Sequence, residues 1–331
     1  MTTVYLDETK PAMTLERGDW LRAAVPKLQP GDVLDYGTKD IDLGTGPGIH
    51  LPQYTTLVGR GGTIYSQWRY QLQCCIELNH GCALKDVRVI MNNTDPTYPG
   101  VCVGFSQANW SKTNGGPAQI KAMQATIEGG YFQGKEYGLY VWGAPEGCRI
   151  IARNKPTFAG KIGACLGTGS GPTAGFIDLY EANVIGNMNI ARTGGASGVG
   201  LAGLLVRGGV VRMFGGTVSS IAVAGTPAAD QLKYQAAVWL GMADQTEAVD
   251  NIGKPTWASC ELQSVSLSMT TIPGVESHLL REGISAWPGK KAEPGRLFAC
   301  NCVNGSGKPI SQSDCYGTVE LVSSQPFPVG A

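Results

Sequence analysis

Gly203-Leu204-Leu205-Val206-Arg207-Gly208 is a short apolar run held between glycines, and the chain repeats it. The order is a small residue, an apolar residue, any residue, an apolar residue, then Gly within two positions. It recurs as Gly138-Leu139-Tyr140-Val141-Trp142-Gly143, Gly163-Ala164-Cys165-Leu166-Gly167 and Ala237-Val238-Trp239-Leu240-Gly241. Gly100-Val101-Cys102-Val103-Gly104 fits it, and Gly283-Ile284-Ser285-Ala286-Trp287 is a weaker copy. A second pattern lies between the copies: Leu84-Lys85-Asp86-Val87-Arg88-Val89, Ala125-Thr126-Ile127-Glu128, Ile177-Asp178-Leu179-Tyr180, Val210-Val211-Arg212-Met213 and Cys260-Glu261-Leu262-Gln263.

Two alternating strand patterns that return at irregular intervals describe coils with turn insertions of varying length. A propeller holds its period better. Upstream, Val33-Leu34, Ile41-Asp42-Leu43, Ile49-His50-Leu51 and Thr56-Leu57-Val58 are short strands separated by Gly and Pro. No long amphipathic pattern follows residue 30, which argues against βαβ units. The expected fold is all-β, a right-handed single-stranded parallel β-helix with a short N-terminal capping helix. The divisions are residues 1–30 for an N-terminal strand and capping helix, 31–313 for the β-helix and 314–331 for a C-terminal tail. In the cap, Asp19 is expected to N-cap a helix from Trp20 to about Val25, with Trp20, Leu21, Ala24, Val25 and Leu28 on one face. Arg17-Gly18-Asp19 then reads as helix start and not as an adhesion motif.

Composition agrees. Gly is 47 of 331 residues, about 14 % against a usual ~7 %. Charged residues are 16 % and apolar residues 43 %, which excludes a disordered chain. Net charge is zero, so nothing steers the chain to nucleic acid or an anionic membrane, and no apolar stretch is long enough to span a bilayer. The N-terminus lacks a secretory signal pattern, so the chain is expected to be made in the cytoplasm and not to leave by that route. The three sequons, at Asn92, Asn109 and Asn304, are then chance. The ten Cys lack metal-ligand spacing and several lie in apolar strands. They are read as buried free thiols, with no metal and no cofactor.

The order of amphipathic helix, Pro30-Gly31-Asp32-Val33, strand, Leu57-Val58-Gly59-Arg60-Gly61 and repeated glycine-bounded coils resembles the pectin-lyase-like superfamily of right-handed β-helices. That superfamily includes pectate lyases, polygalacturonases and phage tailspikes. The resemblance covers residues 15 to 305. It rests on coil grammar, so it implies the fold and leaves the activity open.

No catalytic motif completes itself. Asn93-Thr94-Asp95 matches one polygalacturonase element but reads as a turn. There is no Asp-Asp, and His80-Gly81 comes too early in the order. A paired-carboxylate mechanism needs two acids held together, whereas Asp86, Glu128, Asp178, Glu181 and Glu261 are scattered singly; Asp86 with Arg88, and Asp178 with Tyr180, are read as sharing strand faces. Gly198-Val199-Gly200-Leu201-Ala202-Gly203 has the glycines of a dinucleotide loop but runs into a strand, and Gly169-Ser170-Gly171 lacks nucleophile-elbow spacing. Catalytic residues are therefore unknown.

If the repeated strands stack, every second side chain points outward. Cys102, Tyr140, Cys165, Leu205, Trp239 and Ser285 would then form an outward, uncharged, mostly apolar stripe, rimmed by Trp142, Arg207 and Trp287. Such a patch reads as an interaction surface; the alternative is that loop insertions cover it. The first reading is a non-enzymatic phage virion surface protein, a capsid decoration or short tailspike, assembled as a homotrimer and meeting other virion proteins or a cell-surface polysaccharide. The second is a polysaccharide lyase or glycoside hydrolase. The third is a glycan-binding module without turnover, using Tyr140, Trp142 and Trp239.

Overall fold

Short strands that cannot bury a face alone do so by stacking. A computed structural model describes residues 2–6, 15–68, 74–92, 100–105, 123–141, 148–167, 175–188, 200–222, 234–241, 258–282 and 295–323. The strands join three parallel sheets, here A, B and C, of eleven, nine and nine strands. Thr3–Tyr5 pairs with the next strand, Val33–Asp35, inside sheet A; from there successive strands visit the three sheets in turn, so each pairs with the one three positions later. The chain is a parallel β-helix, as expected.

The core is a set of inward columns, one residue per rung. In sheet A, Leu34, Leu57, Leu84 and Ile127 are direct neighbours, and the column continues through Leu179 and Met213 to Leu321. In sheet B, Phe132 and Phe158 stack with ring centroids 5.5 Å apart. Each such side chain contributes roughly 1.5–3 kcal/mol by leaving water.

A left-handed residue turns the chain from sheet A to sheet B on rung after rung. Asp86, Gly129, Asn154, Glu181, Gly215, Ser264 and Asn301 all have φ between 50° and 66°, and each directly follows a sheet A strand. Asp86 therefore sits at a corner, and it does not share a strand face with Arg88. Asp178 and Tyr180 do both lie on the outer side of one strand.

The capping helix is longer than its sequence pattern suggests. It spans Leu15–Ala24 and tightens into a 3-10 turn at Val25–Lys27, where Pro26 ends it. Asp19 lies inside the helix, with its carboxylate 3.1 Å from Arg22 Nη1, and is no N-cap. Tertiary packing extends the element. Arg17 is fully buried and donates to the Tyr36 carbonyl, and a side chain at Gly18 would strike the Asp42 carbonyl. Leu21, Val25 and Leu28 enter the core, while Trp20 faces outward. At the other end, Cys315–Tyr316 and Val319–Val322 pair into sheets C and A. The β-helix thus continues through what the sequence marks as a tail.

Candidate functional site

Four sheet C strands carry the repeat: Tyr137–Val141, Ile162–Leu166, Gly200–Val206 and Tyr234–Leu240. Their register is the one the repeat implies, with Tyr140, Cys165, Leu205 and Trp239 side by side. The column does point away from the main core, because these four form a separate apolar cluster with Val101, Ile162, Ala202 and Ala236. It is not exposed, however. Cys165 and Leu205 are fully buried and Trp239 is 2 % exposed. The stripe is covered within one chain, so it offers no surface for a side-by-side trimer.

Cys102 is not in this column. Val103 pairs with Leu139 and Gly104 with Tyr140, so the glycine-to-glycine match is two residues out of step. The cause is a bend that puts two consecutive positions inward on the sheet C strands from Val101–Phe105 to Glu276–Glu282. Cys102 with Val103, Ala237 with Val238 and Leu279 with Leu280 all belong to the main core. On intervening rungs the first of the two is Gly138, Gly163 or Gly203. A Cβ on Gly163 would lie 2.6 Å from Ile185 N, so the bend needs glycine there. Arg207 is buried at the end of its strand. Trp142, Trp287 and Ser285 lie outside the described residues.

The bend also explains what the sixth copy conceals. The rung after Tyr234–Leu240 is Glu276–Glu282, with Trp239 beside Arg281 and Leu240 beside Glu282. Gly283 therefore closes a repeat, Leu279-Leu280-Arg281-Glu282-Gly283, and does not open one. Arg281 takes the outward column position, and Tyr316 follows it on the next rung.

A polar and aromatic cluster forms where the column reaches solvent. The Arg281 guanidinium is 5.0 Å from the Trp239 ring, 4.2 Å from the Tyr316 ring and 4.6 Å from the Tyr234 ring. Its Nη1 donates to Glu276 Oε1 at 2.5 Å, while its buried Nε has no hydrogen-bond partner. His278 Nε2 is 3.5 Å from the same Glu276 oxygen, and the His278 ring lies 5.3 Å from the Tyr316 ring. Glu276 and His278 share the outer side of one strand because two positions separate them. Glu276 is 42 % and Tyr316 is 44 % exposed, whereas Arg281 is nearly buried. An imidazole, a phenol, a carboxylate and a guanidinium within reach of one bound molecule can move a proton and hold an anion. Sequence reading places Tyr140, Cys165, Leu205 and Trp239 in the column, but of the residues in this cluster it singles out Trp239 alone.

Stacking also gathers acids on the outer face of sheet A. Asp178 Oδ2 is 3.1 Å from Arg149 Nε, and Arg212 Nε lies 4.0 Å from Asp178 and 3.9 Å from Glu261. Arg149 and Arg212 both sit over the Phe176 ring. The acids that look isolated along the sequence are thus partners through rungs. Each is engaged by arginine, which makes this strip a cross-rung clasp and not an acid–base pair.

The remaining motifs have plain roles. His80 packs edge-on against Tyr54, and its Nδ1 accepts the Gln124 amide at 3.2 Å. Gly200–Val206 is a strand, which excludes a dinucleotide loop. Asn93-Thr94-Asp95 and Gly169-Ser170-Gly171 lie outside the described residues. All ten cysteines are unpaired thiols, and eight of them are buried. Among the described residues, no three His, Cys, Asp or Glu side chains gather as metal ligands, and no helix is long and apolar enough to cross a membrane.

No family model and no curated protein matches the chain. Two solved structures align along most of it. The A-module of mannuronan C-5 epimerase AlgE6 from Azotobacter vinelandii is 13 % identical, with 96 % of this chain and 97 % of that one covered and a TM-score of 0.33. A PL6 alginate lyase in complex with a trisaccharide is 10 % identical, with 98 % and 85 % covered and a TM-score of 0.35. At those scores neither bears on the chemistry of this chain.

Proposed function

We propose that the chain acts on a carboxylate-bearing polysaccharide, by elimination at the Glu276–His278–Arg281–Tyr316 cluster. One observation carries this reading. A histidine backed by a carboxylate, a solvent-facing phenol and a nearly buried guanidinium meet on the outer side of two adjacent rungs. In the proposed step, His278 takes the proton from the carbon next to the sugar carboxylate. The bond from the neighbouring carbon to the glycosidic oxygen breaks, a double bond forms between the two carbons, and the departing oxygen takes a proton from Tyr316. Arg281 supplies the positive field for the carboxylate, strengthened by its low exposure. Glu276 orients His278 and favours the imidazolium that forms.

Hydrolysis is served less well. It needs two carboxylates of divergent acidity around one bond, and this cluster holds a single one. Virion attachment has no supporting feature among the described residues once the apolar stripe is covered.

Incubation with a panel of uronate polysaccharides separates the readings. Ultraviolet-absorbing unsaturated ends are the expected product. Reducing ends without unsaturation would indicate a hydrolase, and retention without product would indicate a binding module. A chain that neither binds nor cuts any of them would overturn the proposal.

A further inference from the structure

Sheet A begins at Thr3–Tyr5 and ends at Val319–Val322, and among the described residues each of these strands has a partner strand on one side only. Thr3–Tyr5 carries no charge and no Pro, the features that ordinarily blunt a sheet edge. The two edges are complementary. Val4 stands at one end of the inward aliphatic column through Leu34, and Leu321 stands at the other end beyond Ala299. Tyr5 and Val322 close the outward column that passes Asp35 and Cys300, and both are well exposed.

An apolar groove adjoins each edge. One, of about 430 Å³, is lined by Val4, Leu6, Trp20 and Leu28. The other, of about 340 Å³, is lined by Ala299, Cys302, Ile310 and Leu321. On the first rung the helix Leu15–Ala24 packs against the sheet B strand Ile41–Asp42, which leaves sheet A as the open edge at that end. No like charges meet across the two edges. Glu320 is the one acidic or basic side chain on either strand, and it is held by Arg296 at 3.1 Å.

We propose that copies of this chain join end to end, with Val319–Val322 of one copy adding as a parallel strand beside Thr3–Tyr5 of the next. The column order sets the register: Glu320 beside Thr3, Leu321 beside Val4, Val322 beside Tyr5. All strands keep one direction, so the join continues sheet A without a reversal. Such a contact uses different surfaces on the two copies and does not close on itself, so it yields open chains whose length grows with concentration. The inference is independent of the polysaccharide reading.

Sedimentation across a range of concentrations reads the assembly. The average mass should rise with concentration, and Val4→Lys, which puts a charge into the inward column of the join, should hold it at the monomer mass. Cross-linking reads the register without relying on that variant. A Tyr5→Cys copy mixed with a Val322→Cys copy should yield a mixed dimer on mild oxidation, in excess over either copy alone. A constant monomer mass without the mixed dimer would overturn the proposal, as would growth untouched by Val4→Lys.

Discussion

The ring of Tyr316 lies 4.2 Å from the guanidinium of Arg281, one rung further along the same outward column. Trp239 covers the guanidinium from the rung before. A cation between aromatic faces, nearly out of water, gains roughly 0.5–2 kcal/mol per face. Arg281→Met keeps most of the volume and removes the charge. It should lower stability by about 1–3 kcal/mol in urea unfolding and abolish turnover of the polysaccharide. Unchanged turnover would remove Arg281 from the site.

Leu205 separates the two views of the outward column. On an exposed stripe, Leu205→Ala would cost less than about 0.5 kcal/mol. In the buried cluster the cost should be about 2–5 kcal/mol, comparable with Leu204→Ala on the inward side. Denaturant midpoints of the two variants make the comparison.

The left-handed corners give a test of the coil geometry. Glu181 has φ 52° and Ser264 has φ 55°, a conformation that costs an L-residue roughly 1–2 kcal/mol. Glu181→Gly should raise stability by up to about 1 kcal/mol, and Ser264→Val should lower it by at least about 1 kcal/mol. Equal and small effects would mean that these corners are not left-handed.

Stability should fall at both ends of the pH scale, for different reasons. Hydrogen bonds from Arg153 and Arg296 hold Glu128 and Glu320 below the ordinary carboxylate value of 4.5. Groups lowered on folding stabilise above their unfolded value, and that contribution is lost as pH falls through the folded one. Both arginines and Glu320 are about half exposed, while Glu128 is partly buried, so the acid effect should be modest and weaker in salt. Burial pushes the Cys75 and Cys148 thiols up to about 11. Their contribution is complete below the ordinary value of 9.0 and is lost as pH rises towards 11. Thermal melts from pH 3 to 10.5 should show both limbs, and Cys75→Ala should flatten the alkaline one. A thiol reagent should label Cys300 and Cys315 ahead of the eight buried cysteines.

Much of the fold was legible because the repeats carry their own register. The copies at Gly138, Gly163, Gly203 and Ala237 stack as their alignment implies. The second pattern falls on sheet A in four of its five copies, and the first runs from sheet A round the Asp86 corner into sheet B; on sheet A, Ile127, Leu179, Met213 and Leu262 share one inward column. The failures have one physical source. A strict period of two cannot show a bend that turns two neighbours inward, so glycine-to-glycine alignment puts Cys102 two residues off and makes Gly283 an opening glycine. The site was less legible because Glu276, His278, Arg281 and Tyr316 join only through the rungs. One signal was available: Leu279-Leu280-Arg281-Glu282-Gly283 is the repeat with a charge in its outward position.

Single-turnover kinetics on a uronate polysaccharide test the site most directly. His278→Ala and Tyr316→Phe should each lower the rate of unsaturated-end formation by about 100-fold or more while retaining binding of the polymer. Variants that bind and cleave like the unsubstituted chain, or an unsubstituted chain that forms no unsaturated ends, would contradict it.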